Sequence, residues 1–517
     1  MRKNSFFPLI ILVLMFTLFT GSHIIQAQPS GELRVGLPTL YDQTLHPIWE
    51  TVYRKQYLEP MYDHLIGVDR DGKFDPKLGI AYKWEMAPNF LSWTFYIRDG
   101  AKFHNGVPLT IEDVKYTIEQ AGTKKNNSLA QSDFKANVDR VEAIPANKVV
   151  VHLKKPWPTT LYFLSTLSGN EGMIQPKKYI EEKGEKGFNA NPIGSGPYKF
   201  FEWKEGVHIK LVAQDSHWRI GVPKYKYLTF KLMPEEGTRE AALRSGEVDV
   251  IAVSLARTKG LKDAGFNIQQ KKDGLHVGLM WIQDWRPEFP TNKAKVRQAL
   301  IYAINKEEIV KQILLGQGTV VGNATSMFTW SIEYKPYPLT PYDPKMAKQL
   351  LAEAGYPQGF TMYLYSFVTH LPETKIINEA IAGYWEAIGV KVKILEMDYS
   401  GFKPVWTKHQ DPPGPAAFVL AWPNRPTYSW RNMYHTTALY SHKKDPQIDR
   451  MIEEFEAQPT TEGYITGAQK IMDYVLANFY STGICTTHEL FASGKKVPLW
   501  EMGKGVGSFR WEYIGEK

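Results

Sequence analysis

The chain has 517 residues, with 62 Lys and Arg against 54 Asp and Glu and a formal net charge of +8 at pH 7. At roughly 150 residues per folded unit, that length suggests about three units with ample chain for large cores. The positive excess is spread along the sequence, without the basic run or stripe that follows a phosphate backbone, so nucleic-acid binding is excluded as a working function; the single cysteine, Cys485, excludes an intramolecular disulfide.

In chain order, the first element is basic at Arg2 and Lys3, apolar over 9–19, and ends on the small residue Ala27. This is the layout of a secretory signal peptide, residues 1–27, cut after the Ile25 and Ala27 positions. The apolar run is short for a membrane span, and no other stretch of about 18 apolar residues follows. No cysteine lies nearby to carry a lipid, so the expectation is a free periplasmic protein beginning near Gln28.

The front half then carries short strand-like runs: TFYI at Thr94, VVVHL at Val149, HIKLVA at His208 and YLTFKLM at Tyr227, separated by turn pairs such as Asp99-Gly100 and Asn105-Gly106. Thr110 and Asp113 have capping-box spacing ahead of a helix, and 239–245 reads as a short helix leading into the strand VDVIAV. From about Lys293 the pattern turns helical, because Val296, Ala299, Leu300, Ala303 and Ile304 recur at helical spacing. Asn305 and Glu308 restart a helix that Gly316 stops. Asp343-Pro344 opens another that Gly355 follows. Ile376, Ile377, Ala380, Ile381, Tyr384 and Trp385 form one stripe before Gly389 and the alternating strand VKVKILEM. This cadence predicts α/β construction.

Catalytic patterns are scarce. His488-Glu489 lacks the second histidine that a zinc-protease helix needs. Ser441 with Lys444 and Ser493 with Lys496 fit Ser-x-x-Lys, but the accompanying Ser-Asp-Asn and Lys-Thr-Gly elements are missing. Asp69, Asp71 and Asp75 around Gly72 lack calcium-loop spacing and read as a tight turn. Cys485 in TGICTT reads as a buried small apolar residue. No nucleophile, base and orienter assemble from these motifs, and no metal or cofactor is expected.

Aromatic residues are the excess: 13% of the chain, with fifteen tryptophans. Trp281, Trp285, Trp330, Trp422 and Trp430 stand in polar, proline-rich surroundings, and residues 417–434 read AFVLAWPNRPTYSWRNMY without a carboxylate. Rigid rings on weakly charged loops suit a concave ligand site, because they bury much area at small entropic cost. The expected ligand-facing set is Trp422, Arg425, Trp430, Tyr428, Trp281, Trp330 and Tyr41.

Several segments together are similar to one family. They are DPKLGIAYKWEMAPNFLSWTFYIRDGAKFHNGVPLTIEDVKYTIE from Asp75, NPIGSGPYKF at Asn191, REAALRSGEVDV at Arg239, VRQALIYAINKEEIV at Val296 and AKQLLAEAGYPQGF at Ala347. In this order they resemble the extracytoplasmic solute-binding proteins of peptide and nickel ABC importers, family 5. The resemblance implies an α/β, two-lobed Venus-flytrap fold with an additional domain inserted in the first lobe. Lobe I would comprise 28–80, 190–272 and 488–517, the extra domain 81–189, and lobe II 273–487. It also implies two crossover strands, capture of a peptide, peptide-like or non-peptide anionic solute, and delivery by a monomer to a membrane permease and ATPase. Arg98, Asp99, His104 and Asn105 would fix a turn and a helix start.

In peptide-binding relatives, a segment resembling 422–429 has Trp, two small residues, an aspartate that pairs with the peptide ammonium, and a later Asp-Pro. Here Trp422 matches, Arg425 falls on the aspartate, and Tyr428-Ser429 replaces Asp-Pro. The sign of the anchor is reversed, and a guanidinium fork suits a carboxylate. The competing readings are an exported enzyme on the same fold and a ligand sensor for a membrane receptor. Recovery of the solute unchanged would discriminate against the first, and neighbouring permease and ATPase genes against the second.

Overall fold

The computed structural model describes residues 29–40, 44–49, 55–123, 130–221, 223–324, 334–367, 371, 373–422, 426–438, 440–505 and 508–515. The expected signal segment lies outside them. The strands are β1 (Glu32–Leu37), β2 (Ala81–Met86), β3 (Ser92–Ile97), β4 (Val138–Ile144), β5 (Lys148–Leu153), β6 (Tyr198–Lys204), β7 (His208–Ala213), β8 (Tyr227–Leu232), β9 (Val250–Ala252), β10 (Asn267–Ile282), β11 (Gly318–Val320), β12 (Thr361–Ser366), β13 (Lys391–Glu396), β14 (Ala416–Trp422) and β15 (Ser481–Ser493).

One sheet runs β13-β12-β14-β10-β15-β9-β1-β8-β7-β6, with β11 on β15. Strands β2-β3-β5-β4 form a separate four-stranded sheet with its own core, in which Trp93, Phe95, Val149 and Val151 meet Val114 and Ile118 of the helix Ile111–Ala121.

Patterning explains the layers. β3, β5 and β7 alternate, so each gives one face to a core. β14 is buried at every residue from Ala416 to Ala421, as a strand covered by helices on both faces must be. Alternation along β10 splits its side chains between two cores. Val277, Leu279 and Trp281 meet the helices Ala294–Tyr302, Pro344–Glu353 and Thr374–Ala387, whereas Met280 and Ile282 meet the helices Pro426–Tyr434, Pro446–Glu456 and Thr461–Ala477. A third core gathers Val35, Phe230, Phe491 and Trp511.

Local signals fold as their chemistry requires. Thr110 donates its backbone N–H to Asp113 Oδ2 at 2.9 Å, and Asp343 accepts from the Met346 N–H at 2.8 Å. The Asp69 side chain accepts from the N–H groups of Asp71 and Lys73, and Gly72 supplies the positive φ of that turn. Arg98 donates to the carbonyls of Gly79 and Pro76, and His104 bridges Gly194 and Gly196. Two details depart from the sequence reading. After Lys306–Glu308 the helix widens into a π-helical turn, Ile309–Ile313, and Ile376 is 52% exposed because the stripe of its helix is narrower than its apolar residues suggest.

Candidate functional site

The sheet register locates the site. β1 runs parallel to β8 and β9, and β12 runs parallel to β13 and β14. β9 ends at Ala252 opposite Phe491 of β15, which is itself opposite Gln269 of β10. β14 approaches from the other direction and ends at Trp422 opposite His276 of β10. The carboxyl ends of both parallel sets therefore face one another across residues 270–275 of β10, at a rise of roughly 3.3 Å per residue. In open α/β sheets ligands bind outside the carboxyl ends of strands. Among the described residues, only β10 and β15 cross from one set to the other.

At the carboxyl end of β14, Trp422 is half-buried and meets the His276 ring edge to face, with centroids 4.9 Å apart. Gly278 makes room, since a Cβ there would lie 3.0 Å from the Trp422 ring. His276 is fully buried, and burial, reinforced by the Lys306 charge, pushes it down to about 3, so the imidazole is neutral. Behind it, Lys306 Nζ donates to Thr482 Oγ1 at 2.7 Å and to Thr340 Oγ1 at 3.4 Å. Burial pulls this amine down to about 7. Other buried lysines have acids: Lys443 lies 2.5 Å from Asp284 and Lys271 lies 3.3 Å from Glu489. Lys306 has no carboxylate within 4.0 Å among the described residues.

At the carboxyl ends of β8 and β9, buried Arg239 fastens two strand ends together. It donates to the carbonyls of Met233 and Pro234 at 2.7 Å, just past β8, and to Ala252 at 3.0 Å. The Met233 N–H reaches Leu37 O at 2.8 Å, which adds the end of β1. The REAALRSGEVDV segment thus fixes the rim.

Of the expected ligand-facing residues, Trp422 lies where the two sets of strand ends oppose one another. Tyr41, Trp330 and Arg425 lie outside the described residues, as does the side chain of Tyr428 within the helix Pro426–Tyr434. Trp281 and Trp430 are placed differently from the expectation. Trp281 is 1% exposed, donates Nε1–H to Phe479 O at 2.8 Å and stacks on Trp385. Trp430 is 2% exposed and packs beside Tyr434. The reason is that Trp281 falls within the strand β10 and Trp430 within the helix Pro426–Tyr434, whose periodicities turn these rings into the two cores. Trp285 lies beyond the carboxyl end of β10, with Lys444 3.5 Å from its ring.

Sequence reasoning missed His276 and Lys306. The available signal was a titratable residue inside the otherwise apolar run GLHVGLMWI, and a lysine opening a helix that the structure buries.

The profile of bacterial extracellular solute-binding proteins, family 5, matches residues 75–441. The glutathione-binding protein GsiB of Pectobacterium atrosepticum is 30% identical over 406 residues, covering 75% of each chain. Among solved structures, HbpA2 from Haemophilus parasuis superposes with a TM-score of 0.79 at 22% identity, over 94% of this chain and 99% of that one. NikZ from Campylobacter jejuni, in complex with Ni(L-His), does so with 0.70 at 22% identity, over 94% and 98%. With two lobes joined by a crossing strand pair and this match over most of its length, the chain belongs to the bacterial extracellular solute-binding proteins, family 5.

Proposed function

We propose that the protein is the receptor of an ABC-type importer for a small peptide-like or anionic organic solute, which it encloses between its lobes and presents to a membrane permease and ATPase. The observation that carries this reading is the opposition of two sets of strand carboxyl ends across β10 and β15. Similarity to GsiB, named as glutathione-binding, supports a ligand of that size, and glutathione carries carboxylates that a guanidinium at Arg425 would suit. The protein acts by binding, without turnover. It works in the periplasm after loss of residues 1–27, and residues 81–189 form the extra domain of lobe I, as their separate sheet supports.

The test is native mass spectrometry of fresh protein for a co-purified solute, then calorimetry with glutathione and a di- and tripeptide panel on wild type and Arg425→Ala. The alanine change is expected to weaken binding by about 2 to 5 kcal/mol, the cost of truncating one partner of a buried charge pair. Tight binding of free-amine peptides that ignores the substitution would sink the anion reading. An unchanged small-angle scattering profile at saturating ligand would sink lobe closure. Chemical conversion of the solute above background would favour the enzyme.

A further inference from the structure

The two crossing strands are not evenly paired. From Asn267↔Ser493 to Lys271↔Glu489 the β10–β15 register is continuous, and it resumes at Leu275↔Thr487. Three residues of β10, Lys272, Asp273 and Gly274, therefore oppose the single residue His488, an irregularity that bends a strand and weakens its ladder locally. Its position is informative. Lobe I is tied to β15 through β9 as far as Phe491 and through the Val253 N–H to Leu490 O at 3.0 Å, and lobe II is tied through β14 from His276 and through β11 from Thr487. The bulge sits between these strand ladders, opposite His488, whose N–H reaches Gln317 O at 3.2 Å.

At its centre Asp273 takes φ +58°, a backbone region that non-glycine residues visit rarely and that persists where the surroundings enforce it. Asp273 is 8% exposed, and its Oδ1 accepts from Thr486 Oγ1 at 2.9 Å. That bond runs from the bulge to the first residues of β15 that belong to lobe II. On the other flank, buried Lys271 donates to Gly505 O at 2.8 Å and lies 3.3 Å from Glu489 Oε1. Gly274 lets the strands approach, since a Cβ there would lie 2.9 Å from Glu489 Cγ.

We infer that Asp273 and Thr486 form a latch on the crossover strands that positions the two lobes and sets how readily the cleft closes, without touching the solute. Loss of the latch frees the bulge to take other angles. The fraction of molecules in the binding-competent arrangement then changes, and the apparent affinity scales with that fraction. The inference rests on the two-lobed binding reading, but its main readout needs no ligand, so failure of the solute assignment leaves it intact.

The experiment is pulsed electron resonance on the full-length protein carrying spin labels at Lys262→Cys in lobe I and Lys348→Cys in lobe II, both exposed; Cys485 is buried and stays unlabelled. Thr486→Val, which removes the hydroxyl at nearly constant volume, is expected to shift or broaden the interlobe distance distribution of the ligand-free protein. Asp273→Gly, whose residue accepts the positive φ without strain, is expected to do the same. Asp273→Asn keeps an acceptor for the hydroxyl and is expected to retain the wild-type distribution. With glutathione as the probe in calorimetry, the first two variants should change apparent affinity by about fivefold or more and the third should not. Distributions that coincide with wild type while thermal stability falls would reduce the pair to a structural contact and overturn the latch. So would a displacement in Asp273→Asn as large as in Asp273→Gly, or failure of both latch-breaking variants to fold.

Discussion

Replacing Glu512 with glutamine should remove a pH dependence of stability that the wild type carries. Glu512 lies in a polar pocket with Glu59, Asp63, Arg219 and Arg510. Its side chain is 3% exposed, its Oε1 lies 3.9 Å from Arg219, and its Oε2 has no hydrogen-bond partner among the described residues. Glu59, 5% exposed, has both oxygens engaged by Ser508 and the Phe509 N–H. Burial, with the neighbouring Glu59 adding to it, lifts Glu512 from 4.5 to about 7. Asp63 in the same pocket behaves oppositely. Burial works upward there too, but His217 and Arg219 outweigh it and hold Asp63 down to about 2.

Because folded Glu512 holds its proton more tightly than the unfolded chain does, its contribution is fully present below pH 4.5 and is lost as pH rises through about 7. At about 1.4 kcal/mol per pH unit, that interval amounts to about 3 kcal/mol. Urea unfolding of wild type and Glu512→Gln at a series of pH values from 4 to 9 should show the wild type losing about this much relative to the variant across the window, then no more above it. A difference that stays constant across the series would refute the argument.

Two further outcomes follow from placement. Trp281→Ala should cost about 3 to 5 kcal/mol of stability, as for a buried ring removed from a packed core, with ligand affinity of the folded fraction unchanged, whereas Trp422→Ala should mainly weaken ligand binding; thermal unfolding and calorimetry on both variants would reveal a reversed pattern. Lys306→Met should be more stable than wild type at neutral pH and below. Folded Lys306 loses its proton at about 7 where the amine of the unfolded chain does so at 10.5, so wild-type stability should recover between those values as the unfolded chain's proton is also lost. Unfolding curves with a pH-independent gap between the two proteins would count against it.

The sequence by itself determined what is local or repeats at a fixed period. The caps at Thr110, Asn305 and Asp343, the turn at Asp69, the alternation of β3, β5 and β7 and the α/β cadence all depend on residues within one or two turns of each other, so composition and spacing suffice. The resemblance of five segments then pointed to the two-lobed architecture. Tertiary structure decided which tryptophan sits in a core and which at a strand end. Trp281 and Trp422 read alike as aromatics in proline-rich surroundings, yet Trp281 is opposite Ala417 inside the sheet and Trp422 is at the strand's last paired position. That difference depends on register between strands more than a hundred residues apart, and a period tells that one face is buried without telling against what. The bulge at Asp273 and the buried Lys306 were invisible for the same reason. Each is defined by a partner on β15, Thr486 and Thr482 respectively, and only folding brings those pairs together.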